Sequence, residues 1–145
     1  MTARVPGGLI EEALTESVIG AFFKVHNTLG YGFLESVYAA ALELELHKRG
    51  HRVQREVPVV VWYEGIAIAN QRIDTLVDAK LILELKSTER LHTDATRQLY
   101  NYLRATNIKV GLLLHFTRYA EFYRVVCSNK ESHPVHPRNS LSKSL

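Results

Sequence analysis

The chain has 145 residues, with 18 Lys and Arg against 15 Asp and Glu, which gives a formal net charge of +3. A hydrophobic share of 46% and a charged share of 23% are ordinary for a globular domain, so disordered, collagen-like, coiled-coil and membrane classes are excluded as the main description. The single cysteine, Cys127, excludes an intramolecular disulfide and a cysteine-rich zinc module.

Two helices are predicted at the start of the chain. Apolar residues at helical spacing favour a first helix from Glu11 or Thr15 to Leu29, before a glycine-rich stop. A second apolar stripe predicts a helix from about Leu34 to Arg49, which Gly50 ends. Because the connection between the two helices is short, they are expected to be antiparallel neighbours.

The rest of the chain changes to strand-like sequence with one more helix. Residues rich in β-branched and aromatic side chains predict five strands: Val57 to Tyr63, Ile66 to Val77, Leu81 to Leu85, Lys109 to Phe116 and Phe122 to Val126. A helix from Thr93 or Asp94 to Ala105 separates the third strand from the fourth. The order ααβββαββ predicts an α/β (α+β) fold with a mixed sheet flanked by helices.

The predicted elements define one domain, over residues 11–128. Residues 1–10 contain Pro6-Gly7-Gly8 and no signal-peptide pattern, so they are expected to be a flexible leader. Residues 129–145 are expected to be a mobile polar tail, and this tail carries most of the basic excess. No apolar run is long enough to span a membrane, and we expect a cytoplasmic protein without membrane association.

The residues that point to chemistry lie on the predicted hairpin of the second and third strands. With its turn at residues 78–80, Asp74 and Glu84 are equidistant from the turn centre and are expected to lie directly opposite each other. Period-two alternation puts Lys86 on the same face as Glu84 and leaves three leucines for the core. Opposed carboxylates repel, and a divalent cation would offset the repulsion. A salt bridge from Lys86 to Glu84, with Asp74 exposed, is the alternative that the spacing leaves open.

The same residues resemble a known signature. Asp74, separated by nine residues from Glu84-Leu85-Lys86, resembles the D-x(n)-E-x-K pattern of the PD-(D/E)XK nuclease superfamily. The segment GFLESVY at residues 32–38 is similar to the G-x-x-E-x-x-Y element that names the GxxExxY protein family within that superfamily. With further similarity at residues 72–74, 98–103 and 111–116, the resemblance covers residues 14–129. It implies a restriction-endonuclease-like fold, whose αβββαβ core agrees with the predicted order.

The resemblance implies a role for each matching residue. Asp74 and Glu84 would be ligands of Mg²⁺ or Mn²⁺, and Lys86 would stabilise the nucleophile and the transition state. Glu35 matches an additional acidic residue that completes the metal shell directly or through water. Gln98 matches a residue that often faces the site. By sequence pattern alone, Glu35 would be an ordinary helix-start residue and Gln98 an ordinary polar residue of a helix.

Four further residues are candidates for nucleic-acid contacts. Arg97 and Arg104 are seven residues apart and share a helix face, where they would either hold phosphates or be solvated. Tyr38 and Tyr102 lie where the family has tyrosine, and each would either pack or contact substrate.

The resemblance therefore implies a metal-dependent endo- or exonuclease that hydrolyses phosphodiester bonds of nucleic acid, with DNA as the expected substrate. The alternative is a catalytically silent nuclease fold that binds nucleic acid or a protein partner. A homodimer or a protein partner could supply specificity that so short a chain lacks.

Overall fold

The computed structural model describes residues 9–128. Within that range the elements follow the order α1 (Glu12–Leu29), α2 (Glu35–Lys48), β1 (Val53–Tyr63), β2 (Ile66–Val77), β3 (Leu81–Lys86), α3 (Ala95–Ala105), β4 (Val110–Phe116) and β5 (Ala120–Val126). The predicted order ααβββαββ is confirmed. The predicted tail, and all but the last two residues of the predicted leader, lie outside the described residues.

The five strands form one mixed sheet, in the spatial order β1-β2-β3-β4-β5. Neighbouring strands are antiparallel except β3 and β4, which are parallel because the chain crosses over through α3 between them. Lys86 and His115 are register partners at the carboxyl ends of these two parallel strands. Segments that follow β3 and β4 therefore meet at one end of the sheet.

The sheet separates two apolar layers. On one face, α1 and α2 pack on Leu81, Leu83 and Leu85, as the alternation predicts. On the other face, Leu99 of α3 packs on Ile82. The central strands are buried on both sides, which accounts for their continuous apolar sequence. Where α3 crosses β4 the contact is close, since a Cβ on Gly111 would lie 2.7 Å from Leu99 Cδ1.

The β2–β3 turn sets the register of the hairpin. Asp78 and Ala79 have φ values of 52° and 54°, and the Lys80 amide donates to the Val77 carbonyl at 3.0 Å, which is typical of a type I′ turn. The ladder pairs include Val77 with Leu81 and Thr75 with Leu83, so the predicted turn centre is confirmed.

Element boundaries differ most from prediction at β1. The strand begins at Val53, four residues earlier than predicted, because Val53 and Gln54 pair with the end of β2. Their polar neighbours Arg55 and Glu56 give little strand signal, and pairing with β2 overrides that local preference. Strand β5 likewise begins at Ala120, two residues early, and α3 begins at Ala95.

A polar brace, consisting of Ser17, His51 and Asp78, ties α1 to the β2–β3 turn. His51 Nδ1 lies 2.8 Å from Asp78 Oδ2, and His51 Nε2 lies 2.7 Å from Ser17 Oγ. The Arg52 amide donates to Asp78 Oδ1 at 2.8 Å. Although partial burial acts to raise it, these hydrogen bonds from Arg52 and His51 hold the pKa of Asp78 below its usual value.

None of the helices within residues 9–128 is both long enough and apolar enough to cross a membrane.

Candidate active site

The candidate active site lies where β2 and β3 separate. The ladder ends at Thr75 and Leu83, and the same register continued by one pair would join Asp74 and Glu84. Instead, each carboxylate reaches the backbone of the opposite strand. The Leu85 amide donates to Asp74 Oδ2 at 3.1 Å, and the Asp74 amide donates to the Glu84 carboxylate. This reciprocal bonding fixes the two acids side by side.

On the other side of β2, the ladder is interrupted at the same level. Arg55 pairs with Thr75 and Val57 pairs with Ile73, but Glu56, which would face Asp74, has a φ of 53° and leaves the ladder. This left-handed conformation costs a non-glycine residue about 1–2 kcal/mol. Backbone strain of this kind collects at functional sites. Sequence analysis missed Glu56 because the predicted strand began one residue after it.

Glu84 is the most perturbed group of the site. Its residue is only 4% exposed, and Oε1 has no hydrogen-bond partner among the described residues. Burial, followed by the negative charge of Asp74, raises the pKa of Glu84 to about 8, and the charge of Lys86 only partly opposes this. Burial of a carboxylate with one oxygen unpaired is costly, so Glu84 destabilises the fold unless something else compensates for it.

Glu35 joins this group from the first residue of α2. It is half-buried, and burial and the charge of Asp74 raise the pKa of Glu35 while Lys86 lowers it. Glu35, Glu56 and Asp74 line a narrow cleft of about 180 Å³ on the α2 side of the sheet. Within residues 9–128, no three Asp, Glu, His or Cys side chains are close enough to form a metal-binding group. Two carboxylates are nevertheless a sufficient protein share for Mg²⁺, which keeps several water ligands.

Helix α3 contributes a second side of the site. Lys86, Gln98 and Arg97 line a cleft of about 540 Å³, together with Gln71 of β2, which sequence analysis did not single out. Gln98 Nε2 donates to the Tyr102 hydroxyl at 3.2 Å. Burial, then the charges of Glu84 and Asp74, raise the pKa of Tyr102. Tyr102 therefore hydrogen-bonds to Gln98 and lies within the electrostatic influence of Glu84 and Asp74.

Of the four predicted contact residues, Arg97 alone lines this cleft. Tyr38 is fully buried, its ring stacks on Phe116 at 4.3 Å, and its hydroxyl donates to the Gly30 carbonyl at 2.7 Å. Of the two alternatives for Tyr38, the structure favours packing, and the residue holds the loop that precedes Glu35. Arg104 is half-buried two helical turns beyond Arg97, roughly 10 Å along the axis of α3.

Comparison with known proteins gives a family match and a similar fold. A family model described as the PD-(D/E)XK nuclease superfamily matches residues 12–125. The crystal structure of SSO0001 is similar, with a TM-score of 0.53 at 18% sequence identity, over 84% of this chain and 61% of that one. The chain thus spans less than two thirds of the length of that protein, and the likeness is one of fold. None of the curated proteins matches the chain.

Proposed function

The chain belongs to the PD-(D/E)XK nuclease superfamily, and on that premise we propose that it is a divalent-metal-dependent nuclease that hydrolyses phosphodiester bonds of DNA. The observation that carries the proposal is the buried Glu84 carboxylate, whose Oε1 lacks a partner within the described range and whose pKa is raised by the charge of Asp74 and lowered by that of Lys86. A cation at this point would offset both the burial of Glu84 and its repulsion by Asp74.

The residues present fit Mg²⁺ or Mn²⁺. Asp74 and Glu84 offer the hard carboxylate oxygens that these ions prefer, and Glu35 would complete the shell through water. When bound, such an ion neutralises charge on the scissile phosphate and lowers the pKa of a nearby water.

The other polar side chains of the site act on substrate and water. The Lys86 ammonium donates hydrogen bonds to the attacking water and to a phosphate oxygen, and so stabilises the charge that develops there. Gln98, which hydrogen-bonds to Tyr102, orients the same water. Arg97 binds a backbone phosphate at the mouth of the cleft, with Arg104 further along α3.

The GFLESVY segment supports the narrower assignment to the GxxExxY family. Gly32 has a φ of 103°, which favours glycine, Glu35 opens α2 beside Asp74, and the Tyr38 hydroxyl accepts from the Phe33 amide at 3.3 Å. The three motif positions thus build one loop that presents Glu35. We also propose a cytoplasmic protein, a single domain over residues 11–128, and a homodimer or a protein partner as the source of specificity.

The test is a cleavage assay with plasmid DNA, single-stranded DNA and RNA, each with Mg²⁺, Mn²⁺ or EDTA. Wild type is compared with Asp74→Ala and Lys86→Ala, and with Glu16→Gln on the exposed side of α1 as a matched acidic control. Metal-dependent activity that disappears in the first two variants and remains in the third supports the proposal. Equal background in all four proteins would refute it.

A catalytically silent fold that binds nucleic acid or a protein partner is the second candidate. The lack of a three-residue metal group within residues 9–128 favours it. For this candidate, wild type and Asp74→Ala would bind nucleic acid equally well and neither would cleave it.

A further inference from the structure

A third cleft lies at the carboxyl ends of β3 and β4, next to the candidate active site. This end cleft has a volume of about 770 Å³, within the roughly 300–1,000 Å³ of small-molecule sites. Two of its residues join it to the active site. Ser87 directly follows Lys86 in the chain, and His115 is the register partner of Lys86. The end cleft therefore begins at residues that adjoin Lys86 in the chain and in the sheet.

The end cleft is lined by exposed aromatic rings. Tyr31, Tyr119 and Tyr123 are 59%, 69% and 40% exposed, although each ring has a large apolar face. Tyrosine rings gathered in this way offer stacking surfaces to planar ligands, and every nucleobase presents a π-face. Among the described residues, no tyrosine lines the cleft with Lys86 and Gln98, and every lining residue except Ala95 is polar or charged. The two clefts thus differ in chemistry, with one suited to phosphate and the other to bases.

The charges of the end cleft favour an unpaired base. Arg118 and Arg90 line it, and the Arg118 guanidinium lies 5.6 Å from the centre of the Tyr31 ring. The carboxylates of Glu89 and Glu121 line it as well, and they would repel a run of phosphates. Carboxylates accept hydrogen bonds from the amino and imino groups on the pairing edge of a base. In a duplex those groups are already bonded to the opposite strand.

A buried polar group lies in the wall of the end cleft. His115 is buried, and its Nε2 lies 2.6 Å from the Thr88 carbonyl, which fixes the ring. Its Nδ1 has no partner among the described residues. The wall therefore holds a hydrogen-bonding atom that no group within residues 9–128 uses.

We propose that the end cleft binds an unpaired nucleobase, so that the preferred substrate carries single-stranded DNA next to the scissile phosphate. This inference rests on the proposed nuclease function, because it assigns the substrate class of the same site. Tyr119 and Tyr31 stack on the base, Arg118 contacts the adjoining phosphate, and Glu89 or Glu121 accepts from the base edge.

The experiment measures binding and cleavage separately. Fluorescence anisotropy in EDTA compares a labelled oligothymidylate with a blunt duplex of mixed sequence, for wild type, Tyr119→Ala and Tyr119→Phe. The matched control is Tyr63→Ala, at an exposed tyrosine in the β1–β2 hairpin that lies outside the end cleft. We expect Tyr119→Ala to lose roughly tenfold in affinity for the single strand and little for the duplex. Tyr119→Phe and Tyr63→Ala should retain wild-type affinity for both ligands.

The outcomes separate the two proposals. Equal loss for single strand and duplex in Tyr119→Ala, or no loss for either, would overturn the end-cleft assignment even if metal-dependent cleavage is intact. Selective loss of single-strand affinity in a protein that cleaves no substrate with any metal would leave the base-binding cleft standing and would refute the nuclease activity.

Discussion

Asp74 and Asp78 are four residues apart on one hairpin, but they belong to polar clusters of opposite character. In the polar brace, both carboxylate oxygens of Asp78 and both ring nitrogens of His51 have partners within 2.8 Å, and the pKa of Asp78 is lowered. In the candidate site, Glu84 is more deeply buried, one of its oxygens has no partner in the described part of the chain, and its pKa is raised. The hydrogen bonds of the brace are all made within the described residues, whereas one buried oxygen of Glu84 has no partner there. That difference distinguishes a structural cluster from a functional one.

The largest expected effect is on catalysis and concerns the site alone. Lys86→Ala should lower kcat by about 10²–10³, because it removes a positive charge aimed at the developing negative charge. Its thermal stability should stay close to that of wild type, since Lys86 is only partly buried. Steady-state cleavage rates and a thermal melt check this. If the variant loses thermal stability as well as cleavage rate, Lys86 has a structural role and not a catalytic one.

The next largest effect is the pH dependence of stability, which should differ between the candidate site and the polar brace. The folded-state pKa of Glu84 lies above its unfolded value, so without metal the free energy of unfolding should fall as pH rises from about 4.5 through about 8. At about 1.4 kcal/mol per pKa unit, the rise of the Glu84 pKa from 4.5 to about 8 corresponds to a decline on the order of 5 kcal/mol. Glu84→Gln should flatten it. Urea unfolding of wild type and Glu84→Gln at pH 5 and pH 8.5 measures this change in the free energy of unfolding. An equal change in both proteins would contradict the prediction.

Added metal tests the difference between the candidate site and the polar brace through thermal stability, without an activity assay. At pH 8.5, Mg²⁺ or Mn²⁺ should raise the melting temperature of wild type, because only the folded state holds the paired carboxylates together. Glu84→Gln should respond much less. An equal rise of the melting temperature in wild type and Glu84→Gln would show that the ion binds at a different site.

The brace should show the opposite dependence on pH, with a smaller amplitude. The folded-state pKa of Asp78 is depressed, so its contribution is present above the unfolded value and is lost as pH falls through the folded value. Asp78→Asn should destabilise the protein by about 1–2 kcal/mol at neutral pH through the weakened bonds to His51 and Arg52. Cleavage per folded molecule should not change. A loss of activity at unchanged stability would mean that the brace participates in function.

The smallest effect concerns the turn between the two clusters. Ala79 has a φ of 54°, which favours glycine, so Ala79→Gly should stabilise the protein by roughly 0.5–1 kcal/mol. The matched control is Ala69→Gly, in the exposed part of β2 opposite Val61, which should destabilise by a similar amount. Thermal melts of both variants test the pair, and a destabilised Ala79→Gly would show that contacts of the buried methyl outweigh the strain.

The hairpin could be predicted from sequence because a turn at residues 78–80 fixes the register by counting outward from its centre. That was sufficient to bring Asp74 and Glu84 to one level of the sheet. The count does not reveal that the strands separate there, or that each acid bonds to the opposite backbone. These features depend on Glu56 leaving the ladder and on α3 burying Glu84, and both are tertiary effects.

The end cleft could not be predicted from local pattern at all. Tyr31 precedes α2, Ser87 follows β3 and Tyr119 follows β4. The residues that line the cleft therefore come from three segments that are far apart in the sequence. They meet only because β3 and β4 are parallel, which is a consequence of the crossover through α3. Tyr38 was equally ambiguous from sequence, since a motif tyrosine that packs and one that contacts substrate have the same spacing.

The parallel pairing of β3 with β4 also has a consequence for the order in which the site is assembled during folding. Asp74 and Glu84 are joined by a hairpin whose contacts are local, so the paired acids can form early and quickly. The pairing of Lys86 with His115 spans 29 positions and requires the intervening chain to close into a long loop first. We therefore expect the two acids to come together before the walls of the end cleft form, because those walls depend on the long-range pairing of β3 with β4.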